Sequence, residues 1–125
     1  MTVTKSSLSR VLLVDIDASL RRALARAMRL AGFEVEPFES VEALLASGAA
    51  EQEACLLLEV DMPGVGGIEF KQALMESGRD MATIFMTASG REGLAAQLAR
   101  LHPVAVLHKP FSKEELLEAL GRAVH

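Results

Sequence analysis

The sequence contains no tryptophan and no tyrosine, a single cysteine and four prolines. Without an indole or a phenol there is no large ring to stack on an isoalloxazine, which argues against a flavin-binding protein. One cysteine cannot form an intrachain disulfide, and Cys55 lies inside an apolar run, where it reads as a small buried hydrophobe rather than a reactive thiol. No apolar run approaches the ~20 residues of a membrane span, and the N-terminus lacks the apolar segment of a signal peptide. These absences lead to the expectation of a reducing, cytoplasmic setting. Positive charge is also in short supply. The net charge is −4 and the 13 basic residues are scattered, so direct binding of nucleic acid is not expected. The chain shows no internal repeat, low-complexity stretch or linker.

What is present is an ordinary globular composition, 50% apolar over 125 residues. That length fits one domain, read here as 1–125, which buries about two thirds of the surface of its unfolded chain. After a polar stretch at 1–9, Val11-Leu12-Leu13-Val14 reads as a strand apolar on both faces, as buried parallel strands are. Ser19 is the expected N-cap of a helix through Ala31 with Leu20, Ala23, Leu24, Ala27 and Ala31 on its inner face, closed by Gly32. A strand is expected over 33–38 and a helix from Ser40 to Gly48. A third strand over 54–60 precedes a Pro-Gly-rich loop and a helix over 68–75. A fourth strand over 82–86, a weaker helix over 91–101 and a fifth strand over 104–107 follow. Ser112 and Glu115 have the spacing of a capping box that opens a last helix, with Leu116, Leu117 and Leu120 turned inward. Strand and helix alternate five times, the pattern of an α/β, doubly wound parallel sheet with helices on both faces.

In such a sheet, ligands collect beyond the carboxyl ends of the strands. The polar residues that stand out sit there. Asp15 and Asp17 follow the first strand, Glu59 and Asp61 the third, Thr87 the fourth, and Lys109-Pro110 the fifth. Two acids, a hydroxyl and an ammonium are thus expected to share one edge.

These residues, with the segment Cys55-Leu56-Leu57-Leu58-Glu59-Val60-Asp61-Met62-Pro63-Gly64, resemble the response-regulator receiver (CheY-like) domain of two-component signalling over essentially the whole chain. The resemblance implies a flavodoxin-like five-stranded sheet of order 2-1-3-4-5. It also implies roles in an active-site pocket. Asp15 matches an acid that binds Mg²⁺, Thr87 the hydroxyl that bonds a phosphoryl oxygen, and Lys109-Pro110 the step whose lysine pairs with the phosphoryl group. Three positions depart from the family. Ile16 replaces the second acid, Glu59 the phosphoacceptor aspartate, and Val106 the aromatic switch residue that works with Thr87.

The departures bear on chemistry. Mg²⁺ wants near-octahedral oxygen ligands. Asp15, Glu59 and the Asp61 carbonyl remain, with Asp17 a possible substitute, so Mg²⁺ binding is expected to be weak or absent. Glu59 adds about 1.5 Å of reach, and misplacing a reacting group by ~1 Å costs ~10²-fold in rate. A longer carboxylate can instead occupy the place of a phosphoryl oxygen, pairing with Lys109 and approaching Thr87. Val106 is stiff and offers no large alternative rotamer. The expectation is an atypical receiver that is not phosphorylated in the ordinary way and acts as a protein-interaction module, not an enzyme. Its implied partners are a histidine kinase, an output domain or a downstream regulator, with a homodimer through the fourth helix, fifth strand and fifth helix as a further possibility. No membrane partner is expected.

Alternatives remain open at this point. One is a conventional receiver that tolerates Glu59 or uses Asp61, although Asp61 is expected to point away and cap the loop. Another is a phosphohydrolase similar to the haloacid dehalogenases, since Asp15-Ile16-Asp17-Ala18-Ser19 looks like that family's first motif and Thr87 and Lys109 like its second and third. Against this, a helix beginning at Ser19 leaves no room for a flap, and Glu114 and Glu115 belong to a capped helix. The glycines of 64–67 lack Walker spacing, and His102, His108 and His125 are not spaced as metal ligands.

Overall fold

The computed structural model describes residues 9–123, so all but Ser9 of the polar stretch at 1–9 lies outside the described residues, as does His125. Eleven elements follow one another: β1 (Arg10–Val14), α1 (Ala18–Leu30), β2 (Glu34–Phe38), α2 (Val41–Ser47), a single 3₁₀ turn (Ala49–Glu51), β3 (Cys55–Glu59), α3 (Gly67–Glu76), β4 (Thr83–Thr87), α4 (Leu94–Ala99), β5 (Ala105–His108) and α5 (Lys113–Ala123). The five strands form one sheet in the order β2-β1-β3-β4-β5, and every pairing is parallel.

Alternation along the strands explains why the runs are apolar throughout. Leu12, Val14, Leu56, Leu58 and Phe85 face one way and pack under α2, α3 and α4. Val11, Leu13, Cys55, Leu57, Ile84 and Met86 face the other way and pack under α1 and α5. Successive side chains point to opposite faces, and here both faces are covered. Cys55 is fully buried, and burial pushes its thiol up to about 12, so it remains an inert core residue.

Local signals placed most helix ends. Ser40 caps α2 through Ala43 N–H, Gly48 closes it with φ +77°, and the Ser112–Glu115 box is reciprocal at 3.0 and 3.1 Å. Three readings need correction. The N-cap of α1 is Asp17, whose Oδ1 accepts from Ser19 and Leu20 N–H, not Ser19. The buried face of α1 is Leu24, Ala25 and Met28, while Ala23 and Ala31 are exposed. The larger Met28 side chain takes the core position that the alanine pattern suggested for smaller ones. Helix α4 is shorter than expected: Gly93, left-handed at φ +84°, is its N-cap, and after Ala99 the chain tightens into turns in which Leu101 N–H bonds Leu98 O and His102 N–H bonds Ala99 O.

Lys71 was not foreseen as a core residue, yet it is 1% exposed. Its ammonium binds Asp80 and the Met81 carbonyl, which ties α3 to the start of β4. The first turn of α3 also lies unusually close to β3. A Cβ on Gly67 would fall 2.7 Å from the Glu59 carbonyl oxygen and 3.2 Å from Leu58 Cβ. Gly67→Ala must push α3 off the strand that carries Glu59 and is expected to cost about 1–3 kcal/mol. Gly121→Ala, in α5 with nothing within 4 Å of the added carbon, is expected to gain about 0.5–1 kcal/mol. Urea denaturation of both variants checks the opposite signs.

Candidate functional site

Parallel register brings the carboxyl ends of β1, β3, β4 and β5 side by side. Val14 pairs with Leu58, Glu59 with Met86, and Thr87 with His108. The residues just beyond are held by the same ladder, Asp15 N–H on Phe38 O and Lys109 N–H on Thr87 O. Asp15, Glu59, Thr87 and Lys109 therefore share one edge, although local sequence gives no contact among them. Lys109-Pro110 is a cis peptide.

The centre of this edge is one ammonium between two carboxylates. Lys109 Nζ lies 2.8 Å from Asp15 Oδ2 and 2.8 Å from Glu59 Oε1. Each acid spends its second oxygen on a backbone donor. Asp15 Oδ1 accepts from Asp17 N–H at 2.9 Å, and Glu59 Oε2 accepts from Ile16 N–H at 3.0 Å. Ile16 thus supplies no carboxylate, but its amide fixes the longer Glu59 side chain, while its own hydrocarbon is exposed. Arg21 adds a donor to the Asp15 carbonyl at 2.7 Å. Asp15 is fully buried and Glu59 is 7% exposed.

One positive charge cannot neutralise two negative ones out of water. Burial, and behind it the nearby Asp15, pushes the Glu59 carboxyl above its ordinary value of 4.5, although Lys109 and Ile16 N–H pull the other way. Burial opposes the Lys109 charge, but its hydrogen bonds to Asp15 and Glu59 and their charges outweigh burial and raise its pKa above 10.5. Both groups favour folding in their protonated forms. The Glu59 contribution is complete below pH 4.5 and is lost as pH rises through its raised value; the Lys109 contribution holds below pH 10.5 and is lost as pH rises through its own.

Thr87 does not meet Glu59, contrary to expectation. Its hydroxyl donates to Asp61 Oδ2 at 2.8 Å. Asp61 in turn does not point away from the site. β3 ends at Glu59, Val60 and Asp61 bend out of the strand with Met62 N–H on Val60 O at 3.2 Å, and this turn brings the Asp61 carboxylate to Thr87. Glu42 was missed altogether. From the first turn of α2 it accepts from Val65 N–H at 3.3 Å and steadies the loop that bears Asp61. Val106 is half-buried beside β4 and lines, with Thr87, Arg91, Leu94 and Leu98, a groove of about 700 Å³ between α4 and β5.

The donor set fits a divalent cation poorly. Asp15 and Glu59 are already tied to Lys109, Asp61 to Thr87, and Asp17 to the start of α1. Among the described residues no group of three or more His, Cys, Asp or Glu side chains is arranged to hold a metal ion.

Replacing Lys109 by Met leaves the buried acids facing each other without their shared ammonium. The expected cost is about 3 kcal/mol, part of which a second change, Glu59→Gln, restores by removing one charge. In Glu59→Gln alone, stability relative to the wild type is expected to move in favour of the variant as pH rises from 4.5. Urea denaturation of the three variants between about pH 4 and about pH 8 reads both effects.

Comparison with known proteins agrees with this geometry. The family model described as "Response regulator receiver domain" matches residues 11–121. The transcriptional regulatory protein TdiR of Thauera aromatica is 32% identical over 99% of the chain, which covers 55% of TdiR. The chain thus spans about half the length of the curated relatives it matches. The solved structure of response regulator StyR superposes with a TM-score of 0.83 at 34% identity, covering 92% of this chain and 58% of StyR. FixJ-N superposes with a TM-score of 0.81 at 28% identity, covering 92% of each chain. An α/β sheet of this strand order, the polar edge that it creates and a family match over nearly all the described residues together show that the chain belongs to the response regulator receiver domain family of two-component signalling.

Proposed function

We propose that this receiver domain is atypical: it works as a protein-interaction module held in one state and does not take a phosphoryl group in the ordinary way. The observation that carries the reading is the Glu59 carboxylate, with one oxygen 2.8 Å from Lys109 Nζ and the other on Ile16 N–H at 3.0 Å. In this reading Glu59 stands where the family has its phosphoacceptor aspartate and supplies the negative charge that Lys109 would otherwise meet on a phosphoryl group. Receiver domains commonly bind Mg²⁺ at that site. Here Ile16 removes one ligand, and Lys109 competes for Asp15 and Glu59, so Mg²⁺ binds weakly at best and does not drive the state.

The domain is then a signalling element rather than an enzyme. Its partner is a protein: a histidine kinase, an output domain or a downstream regulator, and α4, β5 and α5 form the face for a homodimer. TdiR is a transcriptional regulatory protein by name. A transcriptional output therefore fits, with any contact to DNA made outside these residues. Among the described residues no helix is long and apolar enough to cross a membrane, and we place the domain in the cytoplasm with no membrane partner.

Treatment with acetyl phosphate and Mg²⁺, and separately with beryllofluoride, followed by intact-mass and NMR analysis, tests this. The wild type is expected to show no stoichiometric adduct, its rate lying at least ~10²-fold below that of an aspartate-bearing site. The double variant Ile16→Asp, Glu59→Asp, which restores both acids, is expected to gain one that depends on Mg²⁺. A stoichiometric acyl phosphate on wild-type Glu59 overturns the proposal.

A further inference from the structure

Thr87 is fully buried at the end of β4, and its hydroxyl joins two loops. As a donor it binds Asp61 Oδ2 at 2.8 Å, across to the β3–α3 loop. As an acceptor it takes Ser89 N–H at 2.9 Å, and Ser89 Oγ accepts Arg91 N–H at 3.1 Å. A relay of three hydrogen bonds thus runs from Asp61 along the β4–α4 loop toward the start of α4. Its first link is the one involving a charge, and hydrogen bonds to charged groups are the stronger kind. The Asp61 end is itself braced, since Met62 N–H bonds Val60 O at 3.2 Å and Glu42 holds Val65 N–H on the same loop. The other end borders the groove between α4 and β5, which Thr87, Ser89, Arg91 and Val106 all line.

We propose that Asp61 is a positioning residue: its carboxylate, rather than Glu59 or a transferred phosphoryl group, is the acceptor that fixes Thr87, and through Thr87 it sets the β4–α4 loop and the mouth of the α4–β5 groove. The inference rests on the reading that no phosphoryl group occupies the site, and it deepens that reading. The work of one phosphoryl group is divided between two side chains. Glu59 satisfies the ammonium of Lys109, and Asp61 satisfies the hydroxyl of Thr87. The two interactions share no atom. Val106 is too small to act as a swinging ring, and this relay connects the polar edge to the groove.

The test combines Asp61→Ala, Asp61→Asn and Thr87→Val in full-length protein without any phosphodonor, read by amide NMR and hydrogen exchange. Asp61→Ala and Thr87→Val are expected to shift the same amides, in residues 88–94 and at the groove. Each should speed exchange at Ser89 by about tenfold, and together they should do no more than either alone. Asp61→Asn keeps an acceptor oxygen and is expected to hold Ser89 exchange near the wild-type rate. Glu59→Gln should perturb Lys109 and leave the Ser89 amide in place. If the Asp61→Ala and Thr87→Val effects simply add, or if Asp61→Ala moves only residues 62–66, the inference is overturned. Its failure is distinct from that of the proposed function, which is read by mass as an adduct on Glu59 and leaves the Asp61–Thr87 coupling of the unmodified protein unchanged.

Discussion

A single ammonium held between two buried carboxylates governs the functional end of this molecule. Lys109 sits between Asp15 and Glu59 at equal distances of 2.8 Å, and each carboxylate turns its other oxygen to a backbone amide. Nothing about this cluster is neutral. Burial, and behind it the charge of Asp15, raises the pKa of Glu59 against the pull of Lys109 and Ile16 N–H. Burial of such a group costs stability. The arrangement is supported because the sheet beneath it is apolar on both faces and holds the strand ends rigidly in register.

The apolar side chain at Ile16 and the reach of Glu59 belong together physically. A third carboxylate beside Asp15 and Glu59 would bring a third negative charge against one ammonium. With Ile16 that charge is absent, the side chain turns to solvent, and its backbone N–H becomes a ligand for the extra reach of Glu59. Asp15, Ile16 N–H, Glu59 and Lys109 thereby form one closed set of hydrogen bonds. Among the described residues no buried side-chain nitrogen or oxygen lacks a partner.

The strand-end cluster is connected to the rest of the domain by one close backbone approach and by long side chains from the flanking helices. Gly67 lets α3 start against the carbonyl of Glu59, and Lys71 then fastens that helix to the start of β4. Glu42 reaches from α2 to the loop in between. Two helices on one face of the sheet, α2 and α3, thereby flank the loop that carries Asp61. The opposite face contributes Arg21, which bonds the carbonyl of Asp15.

Composition and periodicity alone determined the alternation of strands and helices, the doubly covered sheet, the capping box of α5 and the gathering of Asp15, Glu59, Thr87 and Lys109 at one edge. Each of these follows from local residue patterns, and the resemblance to receiver domains supplied the strand order. Lys71 stands between Ile68 and Leu74 on the buried side of α3, yet spacing alone did not bring a charged side chain inward, and the place of Asp61 depended on the turn after β3. Only the tertiary structure decided that Thr87 bonds Asp61 instead of Glu59, that Glu42 clasps Val65, and that Ala25 and Met28 rather than Ala23 and Ala31 enter the core. Those outcomes depend on Å-scale distances between segments far apart in the chain. Such distances are fixed by strand register and by the depth at which each helix seats on the sheet, and no local pattern of residues encodes either.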